Sequence, residues 1–266
     1  MPDEPPLDYL SRPAGAKLAF RRRGGDEGAP ALLWLGGFKS DMSGTKATAL
    51  DTYARARGFS YVRFDYSGHG ESGGTFAEGT ISRWLADSLE VLDSLTQGPQ
   101  ILVGSSMGAW IALHMATARP ELVQGLVLIA PAADFTARLM WPRFDNEMRA
   151  RLNRGETIHL PDAYGDGPTP ISPEFMADGA RMSLLDAPIP YHGPVRILQG
   201  MEDPDVPWSH AVDTAGALAS LDVAITLIKD GDHRLSRETD LVRLFMTIDE
   251  IAEGLEDLPD NSEIRA

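Results

Sequence analysis

The stretch Ile101-Leu102-Val103-Gly104-Ser105-Ser106-Met107-Gly108-Ala109-Trp110 carries the decisive pattern. The short apolar run Gln100–Val103 leads into Gly-x-Ser-x-Gly, and a helical pattern (Ile111, Leu113, His114, Met115) follows at once. A serine placed between strand and helix in this spacing occupies a sharp turn with strained backbone angles, its hydroxyl projecting from the sheet's edge. Small neighbours at Gly104 and Gly108 let that turn close, and the following helix aims its N-terminal dipole at developing negative charge. The spacing selects Ser106, not Ser105, as the nucleophile. Five such residues can arise by chance in a chain with 26 glycines; the strand before them and the helix after them decide for the functional reading.

Outward from this turn, short apolar runs recur at Leu18–Phe20, Ala31–Leu35, Ser60–Phe64, Leu126–Ala130, Val195–Leu198 and Val223–Ile228. Most are apolar nearly throughout, as strands covered on both faces are. Helical spacing appears between them, as in Ile81, Trp84, Leu85, Ser88, Leu92 and Leu95, and again in Leu241, Leu244, Phe245, Ile248, Ile251 and Leu255. This alternation predicts an α/β chain with a mostly parallel sheet and helices on both faces. Residues 134–190 break the rhythm. They hold helical pieces and the Pro/Gly-rich run Pro161–Pro173 but no convincing strand, and read as a small helical cap inserted into a single domain spanning 1–266. The acidic tail after about residue 256 is expected to fray.

A serine hydroxyl needs a base. Of the six histidines, His69 and His114 precede any acid that could follow the serine in the order Ser, Asp/Glu, His. His159 and His192 fall in or beside the cap, and His210 begins a helix. His233, in the polar turn Lys229-Asp230-Gly231-Asp232-His233-Arg234-Leu235 after the last strand, is the expected base, because that loop opens at the same sheet edge as the elbow. The orienting acid belongs in Gln199-Gly200-Met201-Glu202-Asp203-Pro204-Asp205-Val206-Pro207-Trp208. Related hydrolases commonly carry it three residues after the loop glycine and shortly before a Val-Pro pair. Asp203 fits, with Asp205 as runner-up; Asp232 is expected to shape the turn of His233. The oxyanion donors are expected to be the backbone N–H groups of Met107 and of Phe38, the latter in Gly36-Gly37-Phe38-Lys39-Ser40 after the strand Ala31–Leu35. The segment Arg63-Phe64-Asp65-Tyr66-Ser67-Gly68-His69-Gly70-Glu71-Ser72 reads as structural, with Asp65 anchoring the loop.

The whole chain bounds these readings. Its 266 residues, 43% hydrophobic and 24% charged, can build a sizeable core. A formal net charge of -15 repels phosphate backbones, so no nucleic-acid partner is expected. The absence of cysteine excludes disulfides, a thiol nucleophile and thiolate zinc sites, and the mechanism implied by the motifs calls for no metal or organic cofactor. The start MPDEPPLDYL has neither the basic, apolar pattern of a secretory signal nor the Arg-rich pattern of a transit peptide, and no apolar stretch approaches a membrane span. The expectation is a cytoplasmic protein without membrane insertion.

Several stretches go beyond a general fold signal: Met42-Ser43-Gly44-Thr45-Lys46-Ala47, Arg63-Phe64-Asp65-Tyr66-Ser67-Gly68, Gly98-Pro99-Gln100-Ile101-Leu102-Val103-Gly104-Ser105-Ser106, Asp203-Pro204-Asp205-Val206-Pro207-Trp208 and Asp232-His233-Arg234. In these, from about Lys17 to Ile251, the chain resembles the abhydrolase-domain family of mitochondrial palmitoyl-protein thioesterases, also known as mycophenolic acid acyl-glucuronide esterases. The resemblance implies the α/β-hydrolase fold, a triad on Ser106, Asp203 and His233, and hydrolysis of acyl thioesters or esters, with an S-acylated protein or peptide as substrate. The cap matches less well than the rest, and caps set substrate choice in this fold. Its Phe135, Met140, Trp141 and Phe144, with Leu139, Met148, Phe175 and Met176, are candidates to line an acyl tunnel, or else to pin the cap to the core. Its Arg138, Arg143, Arg149, Arg151 and Arg154 could hold an anionic group or form a solvated face. A general carboxylesterase, a carbon–carbon bond hydrolase and a non-enzymatic binding module remain the alternatives.

Overall fold

Eight strands form one sheet in the computed structural model, which describes residues 4–12, 15–161 and 167–256. In chain order its elements are β1 (Asp8–Leu10), β2 (Leu18–Arg23), β3 (Ala31–Leu35), α1 (Thr45–Arg57), β4 (Ser60–Phe64), α2 (Ile81–Leu95), β5 (Gln100–Ser105), α3 (Met107–Ala118), β6 (Val123–Ile129), α4 (Asn146–Asn153), β7 (Ile158–Leu160), β8 (Thr169–Ile171), α5 (Pro173–Arg181), β9 (Val195–Gly200), α6 (Trp208–Ala217), β10 (Val223–Ile228) and α7 (Glu238–Glu256). The sheet order is β1-β2-β4-β3-β5-β6-β9-β10. The pairs β1–β2 and β2–β4 are antiparallel; every other pair in the sheet is parallel. The C-terminal ends of β3, β4, β5, β6, β9 and β10 therefore open at one edge, where the loops that carry side chains for chemistry collect.

Strand pleating explains why these runs are apolar throughout. In β3, Leu33 and Leu35 face one hydrophobic cluster with Leu102 and Leu128, covered by α2 and α3; Leu32 and Trp34 face the other with Ile101, Val103, Val127 and Ile129, covered by α1 and α7. α2 buries Ile81, Trp84, Ser88, Leu92 and Leu95 of the face read from its spacing, together with Asp87 and Val91, while Leu85 is half-buried, and Thr80 caps it by accepting from Arg83 N–H.

Three features depart from the sequence reading. β1 lies in the acidic, proline-rich start: three mostly exposed residues at the sheet's edge, without an apolar pattern. β10 is the opposite edge and is half-exposed rather than covered on both faces. The stretch without a convincing strand contains two: Ile158–Leu160 pairs antiparallel with Thr169–Ile171 as a separate two-stranded sheet. Around that hairpin, residues 134–190 wind through a π-turn (Thr136–Met140), a 3-10 turn (Trp141–Arg143), α4 and α5. Buried Asp134 ties the segment down by accepting from Ser183 Oγ and from the N–H groups of Leu184 and Leu185. The tail expected to fray, after residue 256, and residues 162–166 of the Pro/Gly-rich run lie outside the described residues.

Candidate active site

Ser106 stands between β5 and α3 with φ 55° and ψ -117°, a left-handed conformation that costs a non-glycine residue of order 1 kcal/mol or more and persists only where neighbours enforce it. Here they do. Ser106 N–H donates to Ile129 O (2.8 Å), and Ser106 O accepts from Ala109 N–H (3.0 Å) and Ala132 N–H (3.2 Å). A Cβ at Gly104 would lie 2.6 Å from Gly108 O, and one at Gly108 would lie 2.0 Å from Leu35 O. The two glycines of the motif are therefore where the chain passes close to its own backbone.

The loops after β9 and β10 are laced together. Glu202 N–H donates to Gly231 O (2.9 Å) and Met201 N–H to Ile228 O (2.9 Å), with Gly200 so close that a Cβ would meet Gly231 O at 2.3 Å. Asp232 accepts from Leu235 N–H (2.9 Å) and closes the turn that presents His233. As a result, His233 Nε2 lies 3.1 Å from Ser106 Oγ and its Nδ1 lies 2.7 Å from Asp203 Oδ2. The other oxygen of Asp203 accepts from the N–H groups of Asp205 (2.8 Å) and Val206 (2.9 Å), and Gln199 Nε2 donates to Oδ2 (3.2 Å). Burial works against the charge of Asp203, but the bond and charge of His233 and the two backbone amides outweigh it and hold its carboxyl below the ordinary value. Asp205 faces outward, 3.7 Å from Arg143, whose guanidinium also donates to Pro204 O and Asp205 O and so fastens residues 141–143 to the acid loop. The ligand atoms of Asp203, Asp205 and His233 lie within 4.8 Å of one another, but the 2.7 Å bond between Nδ1 and Oδ2 already engages two of these side chains.

Gly37 brings the loop after β3 against the elbow, since a Cβ there would touch Ser105 O and Ser106 Cβ at 3.4 and 3.5 Å. The N–H groups of Phe38 and Met107 beside Ser106 have no acceptor among the described residues. Two unlike cavities meet at Ser106 and His233. One, of about 390 Å³, is walled by Phe135, Leu139, Met140, Phe144, Met148 and Leu160. The other, of about 300 Å³, is walled by polar groups that include Ser40, Asp41, Lys46, Arg234 and Ser236.

Of the tunnel residues expected from the sequence, Phe135, Met140 and Phe144 line the apolar cavity; Trp141 does not. Its ring packs against Phe144 at 6.1 Å and carries the Arg149 guanidinium at 5.6 Å. The π-turn followed by a 3-10 turn shifts the facing of these residues away from plain helical spacing. Phe175 is turned to Phe38, on which it stacks at 5.4 Å. Ala132, Leu160, Thr169 and Val206 also line the cavity and were not anticipated; Leu160 and Thr169 belong to the hairpin the spacing did not reveal, and the Val-Pro pair was the one available signal for Val206.

A family model described as "Serine aminopeptidase, S33" matches residues 37–159, from the Gly37 loop through the elbow. Fold and family match together define a serine hydrolase of the α/β-hydrolase class. The palmitoyl-protein thioesterase ABHD10, mitochondrial, of Rattus norvegicus is 38% identical over 250 residues, covering 94% of this chain and 83% of the rat chain. The structure of mouse alpha/beta hydrolase domain-containing protein 10 superposes with a TM-score of 0.86 at 38% identity, over 94% of this chain and 99% of that one. A crystal structure of an Agrobacterium vitis S4 protein gives a TM-score of 0.87 at 41% identity, over 93% and 99%. This chain belongs to the ABHD10 family. The mitochondrial address is in the relatives' names and lends no support to the cytoplasmic expectation. Among the described residues, no helix is long and apolar enough to cross a membrane.

Proposed function

We propose that the chain hydrolyses long-chain acyl thioesters and related esters through an acyl-enzyme on Ser106, with an S-acylated protein or peptide as the thioester partner. The observation that carries this reading is the run of hydrogen bonds Ser106–His233–Asp203, at 3.1 and 2.7 Å, standing where an apolar and a polar cavity meet. In this reading the acyl chain lies along Phe135, Met140 and Phe144, and residues 134–190 act as the cap that limits its length. The thiol or alcohol leaves on the side of Ser40, Lys46 and Ser236.

Ser106 Oγ gives its proton to His233 Nε2 and attacks the acyl carbonyl. Ionised Asp203 holds the ring with Nε2 facing the serine and stabilises the imidazolium. The N–H groups of Phe38 and Met107 receive the oxyanion, a contribution of about 10²–10³ in rate per donor in such sites. The imidazolium then protonates the leaving group, and water deprotonated by His233 releases the acid. The relatives' name, palmitoyl-protein thioesterase, supports the thioester substrate.

A second reading, an oxygen ester whose alcohol carries an acidic group, is favoured by Lys46 in the polar cavity, whose Nζ donates to Arg234 O and stands beside Ser40 and Ser236 in the cavity wall. Labelling with a fluorophosphonate probe, lost in Ser106→Ala, and chain-length profiling with matched thioesters and oxygen esters test both. Selective turnover of C12–C16 thioesters is the expected result. A wild type that takes no label and turns over neither class overturns the proposal.

A further inference from the structure

His69 takes no part in the proton transfers above, yet it is 4% exposed and lies directly behind the loop that carries Phe38. Its Nε2 accepts the Lys39 N–H at 3.3 Å. Lys39 has φ 59°, a left-handed backbone on a residue with a side chain, so this part of the loop is held rather than relaxed. The same bracket grips the loop at other points: Tyr66 Oη donates to Gly36 O (3.2 Å), and Asp65 Oδ1 accepts from Met42 N–H (2.6 Å). Edge-on contacts to Tyr66, Phe76 and Trp84, with centroids 5.0–5.5 Å apart, fix the imidazole plane. Burial pushes its pKa down to about 4, which keeps the ring neutral, and the Nδ1–H donated to Ser67 O (3.4 Å) leaves Nε2 as the acceptor.

We infer that His69 is a positioning residue for the oxyanion hole: by accepting the Lys39 N–H it fixes the peptide that follows Phe38 and so keeps the Phe38 N–H aimed at the developing oxyanion. The inference rests on the reading of Phe38 as an oxyanion donor. The main chain at His69 is held separately, its N–H donating to Tyr66 O and its carbonyl accepting from Ser72 N–H, both at 3.0 Å. Side-chain substitutions therefore remove the acceptor while the turn itself stays bonded.

The test compares His69→Phe, which fills the aromatic slot without an acceptor, with His69→Gln, whose side-chain oxygen reaches the place of Nε2. In the full chain, His69→Phe is expected to lower kcat by roughly 10- to 100-fold with KM within about twofold, as for misplacement of a group that acts in the transition state. Affinity for a trifluoromethyl ketone, which forms the tetrahedral adduct, falls by a similar factor, while affinity for the product fatty acid is unchanged. His69→Gln recovers most of both losses. Full kcat in His69→Phe, or equal losses in the two variants, overturns the inference. Should His69→Phe not fold, His69→Asn, too short to reach Lys39, replaces it, and wild-type activity there is equally fatal. If Ser106→Ala retains turnover, the underlying serine mechanism fails instead.

Discussion

Replacing Asp203 with Asn tests the acid by geometry rather than by charge alone. The oxygen at the Oδ1 position is fixed by two donors, the N–H groups of Asp205 and Val206 at 2.8 and 2.9 Å. An Asn must leave its carbonyl there, so its NH₂ takes the Oδ2 position, facing His233 Nδ1 across 2.7 Å. A donor at that place forces Nδ1 to accept and puts the ring proton on Nε2, which then cannot take the proton of Ser106. Gln199 Nε2, 3.2 Å from Oδ2, adds a second donor–donor conflict. The expected loss is about 10⁴ in kcat, or about 5 kcal/mol of barrier, with the fold retained. Asp205→Asn, at a carboxylate half in solvent and paired with Arg143, is expected to stay within about threefold, as exposed ion pairs contribute little. Turnover of an acyl thioester, normalised to fluorophosphonate-titrated sites, reads both. Asp203→Asn retaining a tenth of wild-type kcat, or Asp205→Asn losing more than Asp203→Asn, refutes the assignment.

Gly108→Ala places a methyl group 2.0 Å from Leu35 O, a backbone atom that cannot yield; denaturant titration should show a loss of about 1–3 kcal/mol or more, and probe labelling of Ser106 should fall with it. Leu139→Trp fills the apolar cavity from its wall, so kcat/KM for a C16 thioester should drop by about tenfold or more, at 1–3 kcal/mol per poorly fitted methylene, while a C4 thioester is spared; a uniform drop would count against the acyl assignment. Stability should depend on acid through His69. The unfolded chain binds its proton near pH 6.5 but the folded chain only near 4, so stability is lost as pH falls across that window, by about 3 kcal/mol from this group, with half-buried His114 and buried His210, also shifted down by burial, acting in the same direction. Urea midpoints at pH 7, 5.5 and 4.5 should show a shallower decline in His69→Phe than in wild type.

The elbow was legible because its constraint is local: a strained serine and two close backbone passages admit few residue types, and Gly104, Ser106 and Gly108 announce them. The meeting of Ser106, Asp203 and His233 follows from parallel strands, which send the loops after β5, β9 and β10 to one edge whatever lies between them. Short pairings were not legible. Asp8–Leu10 has no buried face to impose a pattern, and Thr169–Ile171 is three residues long with a proline at its centre. Whether Trp141 lines the cavity or packs beside it was not readable from its spacing, because the chain changes winding twice within eight residues, from Thr136 to Arg143. Arg143 was visible only as one of several cap arginines; its grip on the acid loop depends on carbonyls 61 and 62 residues away.

The Phe38 ring touches Phe76, Trp84, Phe135 and Phe175 with centroids 5.0–5.9 Å apart. Two of those partners, Phe135 and Phe175, lie within residues 134–190, and two, Phe76 and Trp84, precede β5. An engineer who grafts a relative's 134–190 segment to retune chain length would thereby also disturb the support beneath the proposed oxyanion donor, the Phe38 amide. The transplantable unit is larger than residues 134–190: it includes positions 38, 76 and 84, and chimaeras that leave these behind should change speed as well as selectivity.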